Sequence, residues 1–320
     1  VTGFMAYLHV EDLYKIYGPH PTRVLDAARA DQGRVEIQET TGHVVAVDGV
    51  SFDVERGELF VIMGLSGSGK STIVRMINRL VEPTAGSVVL DGTDVTALND
   101  QELRRVRQEN MSMVFQHFAL FPHRTVGENV AYGLKVQGLD EKERRRRSEE
   151  SLEIVGLRGW ATAYPDELSG GMQQRVGLAR GLATGADILL MDEPFSALDP
   201  LIRREMQDLL ARLQEELQRT IVFITHDLNE AMRLGDRIVM LKDGRVVQIG
   251  TGPEILHNPA NEYVANFVAD VDRSRVLTAH LAMRPPRRTF TPQDDPRDVL
   301  AWLADQEFNG SYVLGPDDRI

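Results

Sequence analysis

The run Gly64-Leu65-Ser66-Gly67-Ser68-Gly69-Lys70-Ser71-Thr72 has the residue types and the spacing to hold a polyphosphate. It follows the pattern G-x-x-x-x-G-K-[ST]. Glycines here let the backbone fold so that successive N–H groups point inward at phosphate oxygens. A helix opening at the end of the loop adds its partial positive charge. Lys70 is placed to reach the β- and γ-phosphates, and the Ser71 hydroxyl to ligate Mg²⁺. Only five of the 36 basic residues are lysines, so an incidental lysine at this position is a poor explanation. A glycine-rich turn matches this pattern by chance in about one chain in a hundred of this length. The apolar strand Leu59–Met63 before the loop and an apolar-periodic helix after it, about Ser71–Leu80, argue further against chance.

A second reactive pattern is Ile188-Leu189-Leu190-Met191-Asp192-Glu193, an apolar strand ending in two acids. Asp192 suits a Mg²⁺ ligand, directly or through water. Glu193 suits a general base that polarises an attacking water, a role worth roughly 10²–10⁴ in rate. Gln116 follows the apolar run Met111–Phe115, and His226 follows Thr220–Thr225. Alone, each reads as a turn or capping residue; each gains weight from its strand-end position. In Leu168-Ser169-Gly170-Gly171-Met172, Ser169 is a good N-cap for a helix running to about Ala183, a second helix N-terminus suited to meet an anion.

The elements that must position these groups are legible in outline. Residues 6–17 and Val44–Val54 read as strands, and Ser87–Leu90 with Asp91-Gly92 as a hairpin edge. Ile238–Leu241, Asp243-Gly244 and Arg245–Ile249 form a plain hairpin signal. Apolar strands alternating with helices indicate a parallel sheet buried on both faces, which binds ligands at the carboxyl ends of its strands. The polar residues noted above all fall at such ends, implying one shared site. Residues 18–43 are polar and carry Pro19, Pro21 and Gly33; they read as an insertion with a short helix near Arg23–Ala30. Residues 117–180 are mostly helical by pattern, and Arg204–Leu217 is an amphipathic helix. The charge-dense stretch Glu143–Glu150 reads as a solvated helix face with i,i+4 pairs.

Composition narrows the function classes. At 320 residues the chain accommodates one large α/β domain and a small appendage. A net charge of -12 argues against nucleic acid as the main partner. There are no cysteines, hence no disulfide framework. No apolar run approaches the roughly 18–20 residues needed to cross a bilayer, and the first residues show no signal pattern. A membrane role is therefore expected to be peripheral, through a partner.

Taken together, these residues resemble the ATP-binding cassette family of transporter ATPases over roughly residues 8–270. The family's motifs occur in order: Walker A at 64–72, the Q-loop Gln116, the signature at 168–172, Walker B at 188–193, the D-loop Ser196-Ala197-Leu198-Asp199, and the switch His226. The resemblance implies an α/β P-loop fold: a RecA-like core sheet, an antiparallel β subdomain and an inserted helical subdomain at about 117–180. It implies ATP and Mg²⁺ as ligands and a head-to-tail pair of subunits. ATP would lie on Gly64, Ser66, Gly67, Ser68, Gly69, Lys70, Ser71 and Thr72 of one copy, against Ser169, Gly170 and Gly171 of the other, with Asp199 also at the nucleotide site. Ser71, Gln116 and Asp192 would hold Mg²⁺, with Glu193, His226 and Gln116 acting in catalysis. Gln116 would also couple the site to a helix of the membrane subunit, received by the stretch Phe118–Val130 with Phe121-Pro122-His123. Tyr17 matches the family's adenine-stacking aromatic.

A narrower resemblance is to the ATPases of glycine betaine/proline importers. It rests on the 18–43 insertion, Ile62-Met63-Gly64-Leu65-Ser66, Met113-Val114-Phe115-Gln116, Tyr164-Pro165-Asp166-Glu167-Leu168 and Phe195–Arg203. It implies a membrane permease, an external solute-binding protein, and a site of action on the cytoplasmic face of a bacterial membrane. Those ATPases usually carry cystathionine-β-synthase-type (CBS) repeats. Ala282-Met283, Ser311–Leu314 and Asp317-Asp318-Arg319, with a helix near Pro296–Gln306, are similar to the start of one, which the sequence leaves incomplete at Ile320. The expected division is 1–272 for the cassette and 273–320 for the partial CBS-like segment, with Arg284-Pro285-Pro286-Arg287-Arg288 near the boundary. Importers of other amines or amino acids, and cassette ATPases acting on DNA or ribosomes, are the alternatives. The latter usually show a coiled-coil insertion or two cassettes in one chain, and neither is visible. A non-catalytic cassette commonly lacks the acid or the histidine that Glu193 and His226 supply here.

Overall fold

The computed structural model describes residues 6–116, 119–269 and 288–306, with 311 and 313. Strand β1 (Leu8–Tyr17) leads into the insertion, which holds α1 (Leu25–Arg29) and α2 (Arg34–Thr41). Next come β2 (Val44–Val54), β3 (Leu59–Gly64), α3 (Lys70–Ile77), β4 (Ala85–Leu90), β5 (Thr93–Asp94), α4 (Asp100–Glu109) and β6 (Met111–Val114). A helical arm follows: α5 (Val126–Val130), α6 (Tyr132–Val136), α7 (Glu141–Ile154) and α8 (Gly170–Ala183). The chain returns through β7 (Ile188–Asp192), α9 (Pro200–Leu217), β8 (Thr220–Thr225) and α10 (Leu228–Leu234). It continues through β9 (Arg237–Lys242), β10 (Arg245–Gly250), α11 (Gly252–His257) and α12 (Glu262–Val268), with α13 (Pro296–Asp305) beyond.

The core sheet has the order β10-β9-β3-β8-β7-β6. Its strands from β9 to β6 pair in parallel, and β10 closes the edge antiparallel. Every residue of β3, β7 and β8 is buried, which is why these strands are unbroken apolar runs. Alternation along β3 divides the interior. Leu59, Val61 and Met63 face a core shared with α5 and α7–α10, while Phe60 and Ile62 face one shared with α3 and the antiparallel sheet β2-β1-β4-β5. This is the expected α/β P-loop architecture, with its antiparallel sheet and its helical insertion.

Three local differences from the sequence reading have physical causes. The insertion contains a second helix, α2, whose one buried apolar residue, Ile37, gives no periodic signal. Helix α9 starts at Pro200, earlier than Arg204, because Asp199 Oδ1 accepts from the amides of Leu201 and Ile202. Helix α3 stops at Ile77, and Arg79 beyond it has a left-handed φ of 52°. The charge-dense α7 is the anticipated solvated face: Arg145–Glu149, Arg146–Glu150 and Arg147–Glu143 pair at i,i+4.

The chain divides into two compact units, Val1–Val276 and Leu277–Ile320. In the second, Asp295 caps α13, the buried Phe290 meets Trp302 edge-on at 5.5 Å, and Phe290 forms an isolated parallel bridge to Val313. The CBS-like readings at Ala282, Met283, Tyr312, Leu314 and Asp317–Arg319 lie outside the described residues, as does Phe118 of the proposed coupling stretch.

Within the helical arm, the fully buried Asn129 holds the 121–125 turn. Its Oδ1 accepts from the Phe121 amide at 2.7 Å, and its Nδ2 donates to the carbonyls of Phe121, Arg124 and Thr125. Asn129→Ala strands these buried groups and is expected to lower unfolding stability by about 2–3 kcal/mol, read from urea denaturation. A loss below about 0.5 kcal/mol would show that the turn is held by other contacts.

Candidate functional site

The loop after β3 is shaped for close backbone approach. Gly69 has φ 96°, and a Cβ there would lie 2.5 Å from the Ala46 carbonyl. A Cβ on Gly64 would lie 2.4 Å from the Leu241 carbonyl and 2.6 Å from Ser68 Oγ. Lys70, only 5% exposed, donates from Nζ to the carbonyls of Gly64 at 2.8 Å and Leu65 at 3.0 Å. Burial pushes its pKa down, against the pull of Glu193 and Asp192. Ser68 Oγ is buried with no hydrogen-bond partner among the described residues. An ammonium folded back onto its own loop and an orphaned hydroxyl beside it fit an anionic ligand in the cradle.

The strand ends converge on this loop. Ser71 Oγ donates to Asp192 Oδ1 at 2.7 Å, and Arg75 lies 3.4 Å from Oδ2. Glu193 sits 3.9 Å from Lys70 Nζ and 3.1 Å from His226 Nδ1. Gln116 Nε2 donates to Ser196 Oγ at 3.1 Å, and that hydroxyl donates to the Glu193 carbonyl at 3.0 Å. The four strand ends are thus joined by one connected set of polar contacts. Glu193 has φ 46°, a left-handed conformation costing on the order of 1–3 kcal/mol outside glycine. Ser71 and Asp192 supply hard oxygen donors suited to Mg²⁺, which commonly takes one or two carboxylates and completes its shell with water and phosphate. Gln116 reaches Ser196 rather than either of these oxygens.

The remaining site residues occupy other surfaces of the same unit. Ser169 Oγ caps α8 through the Met172 amide, and Ser169 and Gly170 are exposed. Gly171 is buried against α9, where a Cβ would come within 2.4 Å of Ile202 Cγ2. Among the described residues no hydrogen bond or ion pair joins 169–171 to 64–72. Asp199 is exposed at the start of α9, where its carboxylate forms the cap. Tyr17 ends β1 opposite Val44, is 44% exposed, and has Lys15 Nζ 5.0 Å from its ring centroid. The Phe121 ring packs tilted against Tyr132, their centroids 4.7 Å apart, with Arg124 over both rings.

Two supporting residues escape sequence reading. Arg203, one turn into α9, donates to the carbonyls of Phe195, Ser196 and Leu198 and lies 3.9 Å from Asp227. Its place one turn after the helix-capping Asp199 was the available signal. Glu230 on α10 is 6% exposed and accepts from Gln207 Nε2 at 2.9 Å. Together with Glu193, Arg203, Thr225 and His226 it lines a cavity of about 10 Å³. Burial pushes its carboxyl pKa up, the donors Thr225 and Gln207 opposing. Nothing in the sequence distinguishes it from a solvated helix acid.

A family profile described as "ABC transporter" matches residues 47–196. The chain is 52% identical to the glycine betaine/carnitine transport ATP-binding protein GbuA of Listeria monocytogenes, covering 97% of this chain and 78% of that one. It is 53% identical to the glycine betaine/proline betaine transport system ATP-binding protein ProV of Escherichia coli, covering 96% and 78%. Among solved structures, a dimeric ATP-binding cassette in a post-hydrolysis state bound to ADP and phosphate superimposes with a TM-score of 0.65 at 35% identity, covering 77% of this chain and 98% of the other.

The Glu230 environment carries a pH prediction. Its folded pKa is raised, so the stability it contributes is complete below the ordinary glutamate value of about 4.3 and is lost as pH rises through the folded value. Glu230→Gln cannot ionise. Its melting temperature relative to the parent is therefore expected to increase as pH rises from about 4 to 8; a difference that stays constant over that whole range would show that burial does not raise the carboxyl's pKa.

Proposed function

Because the chain belongs to the ATP-binding cassette transporter ATPases, we propose that it hydrolyses Mg-ATP to drive uptake of glycine betaine or a related quaternary amine through a separate permease. The observation carrying this reading is the meeting of Lys70, Ser71, Asp192, Glu193 and His226 at adjacent strand ends beside the glycine loop. The loop amides of 66–72 and Lys70 bind the triphosphate, Lys70 exchanging the Gly64 and Leu65 carbonyls for phosphate oxygens. Ser71 and Asp192, with Gln116 at the edge, hold Mg²⁺, which supplies positive charge to the phosphate oxygens. Glu193 accepts the proton of the attacking water, and His226 fixes its carboxylate through Nδ1 and faces the terminal phosphate. ATP hydrolysis is the chemistry common to the family.

The exposed Ser169 and Gly170, with Gly171 and Asp199, serve a second copy of the chain, completing its nucleotide site head to tail. The dimeric cassette bound to ADP and phosphate supports such a pairing. Tyr17 stacks on the adenine. Gln116 and the Phe121–His123 turn relay the state of the site to the permease, and a solute-binding protein delivers cargo on the far side. Among the described residues no helix is long and apolar enough to cross a membrane, which suits a peripheral subunit on the cytoplasmic face of a bacterial membrane. The net charge of -12 speaks against a nucleic-acid partner. The betaine substrate rests on the names carried by the relatives; import of another amine is the second reading.

Glu193→Gln is expected to retain ATP binding, accumulate as a nucleotide-bound dimer, and lower turnover by at least about 100-fold. Mg-dependent phosphate release and size-exclusion chromatography with ATP measure this. Hydrolysis at the parental rate would remove Glu193 from the chemistry. Uptake assays with the co-purified permease, comparing glycine betaine, carnitine and proline, decide the solute.

A further inference from the structure

The sheet ladder delivers β7 and β8 to the site but stops short of the two groups that the chemistry needs side by side. The last rung between these strands joins Asp192 to Ile224. Glu193 and His226 both lie beyond it, on separate turns, yet Glu193 Oε2 is 3.1 Å from His226 Nδ1. Glu193 also holds φ 46°, a conformation that persists only where the surroundings over-determine it. Contacts other than strand pairing must therefore set one turn against the other.

Arg203, one turn into α9, reaches both. Its Nε donates to the Phe195 carbonyl at 3.3 Å, and Nη2 to those of Ser196 at 3.4 Å and Leu198 at 3.1 Å. One planar group thus spans the loop that follows Glu193. The remaining nitrogen, Nη1, lies 3.9 Å from Oδ2 of Asp227, the residue after His226. Asp227 is itself held: its Oδ1 accepts from the amides of Asn229 and Glu230, and its own amide donates to Thr225 Oγ1. Little room is left between the turns. The cavity that Glu193, Arg203, His226 and Glu230 line has about 10 Å³, the space of a single water. A lysine ammonium is a point donor on a flexible stem and lacks the fork that fits this set of oxygens.

We propose that Arg203 is a positioning residue for hydrolysis: by bridging the loop after Glu193 and the turn that carries His226, it holds the general base and the switch histidine in register. Its guanidinium stays charged and moves no proton; it acts through Glu193. The proposal rests on the reading of Glu193 as general base and deepens it.

The test measures Mg-ATP hydrolysis by the full chain and by Arg203→Lys, alone and on a Glu193→Gln background. Arg203→Lys keeps the charge and loses the fork. It is expected to lower kcat about 10- to 100-fold, the cost of misplacing a catalytic group by about 1 Å. KM is expected to stay within about twofold, because the contacts of the phosphate loop are untouched. On the Glu193→Gln background the same change is expected to cost less than about threefold, since the group it positions is gone. A parental kcat, or a loss as large with Glu193→Gln as without it, overturns the proposal. Calorimetry with Mg-ATP reports whether Arg203→Lys is folded. If it binds no ATP, Asp227→Asn decides instead, because asparagine keeps the α10 cap and removes only the charge beside Arg203. A kcat at least about threefold below the parent with KM unchanged then supports the proposal, and a parental kcat overturns it. If Glu193→Gln itself hydrolyses ATP at the parental rate, the general-base reading falls and the role of Arg203 with it. If Glu193→Gln is slow while Arg203→Lys matches the parent, only the role of Arg203 is wrong.

Discussion

The site depends on a strand that cannot move. β3 is buried at every residue and paired in parallel on both sides, with β8 and β9. Its carbonyl end therefore delivers Gly64 to a fixed point, and the loop that follows must fold in the little space left by the Leu241 and Ala46 carbonyls. Backbone amides can line a phosphate only if the backbone comes this close, so the glycines are a steric requirement of the packing. The same sheet sets the positions of Asp192, Glu193 and His226, because β7 and β8 are held in register with β3 by the ladder.

Around that fixed point the polypeptide carries several unfavourable features at once. Lys70 is desolvated, Ser68 Oγ lacks a partner among the described residues, and Glu193 holds a left-handed backbone. Each is a local cost that the surrounding core sustains. A polyphosphate in the cradle would offer the ammonium phosphate oxygens in place of the Gly64 and Leu65 carbonyls and would give the Ser68 hydroxyl a partner, so the strained and desolvated groups lie where such a ligand would bind. This concentration supports the proposed chemistry independently of the family resemblance.

The loop after β7 joins the chemical site to the rest of the molecule. Arg203 clamps the carbonyls at 195–198 and approaches Asp227 of the switch turn, while Ile202 next to it presses on Gly171 at the start of α8. The start of α8, the start of α9 and, through Arg203, the loop carrying Ser196 thus form one chain of contacts, to which Gln116 is bonded.

What the sequence determined by itself follows from locality. Phosphate binding by successive amides needs a contiguous glycine loop between strand and helix, and parallel strands buried on both faces must be unbroken apolar runs. The loop at 64–72, the acids at 192–193 and the buried parallel strands of the core were therefore legible in the residues. The caps set by Ser169 and the hairpin at 243–244 were legible for the same reason. What only the tertiary structure decided involves partners far apart in the chain. Asp31 meets Arg245, Gln116 bonds Ser196, and Glu230 is buried against Gln207. Helix α2 stands on one apolar side chain, so its place depends on Tyr14, Ile16 and Val45 across the insertion. Side-chain type carries no trace of such meetings, because the burial and charge that define them arise only when the sheet brings the segments together.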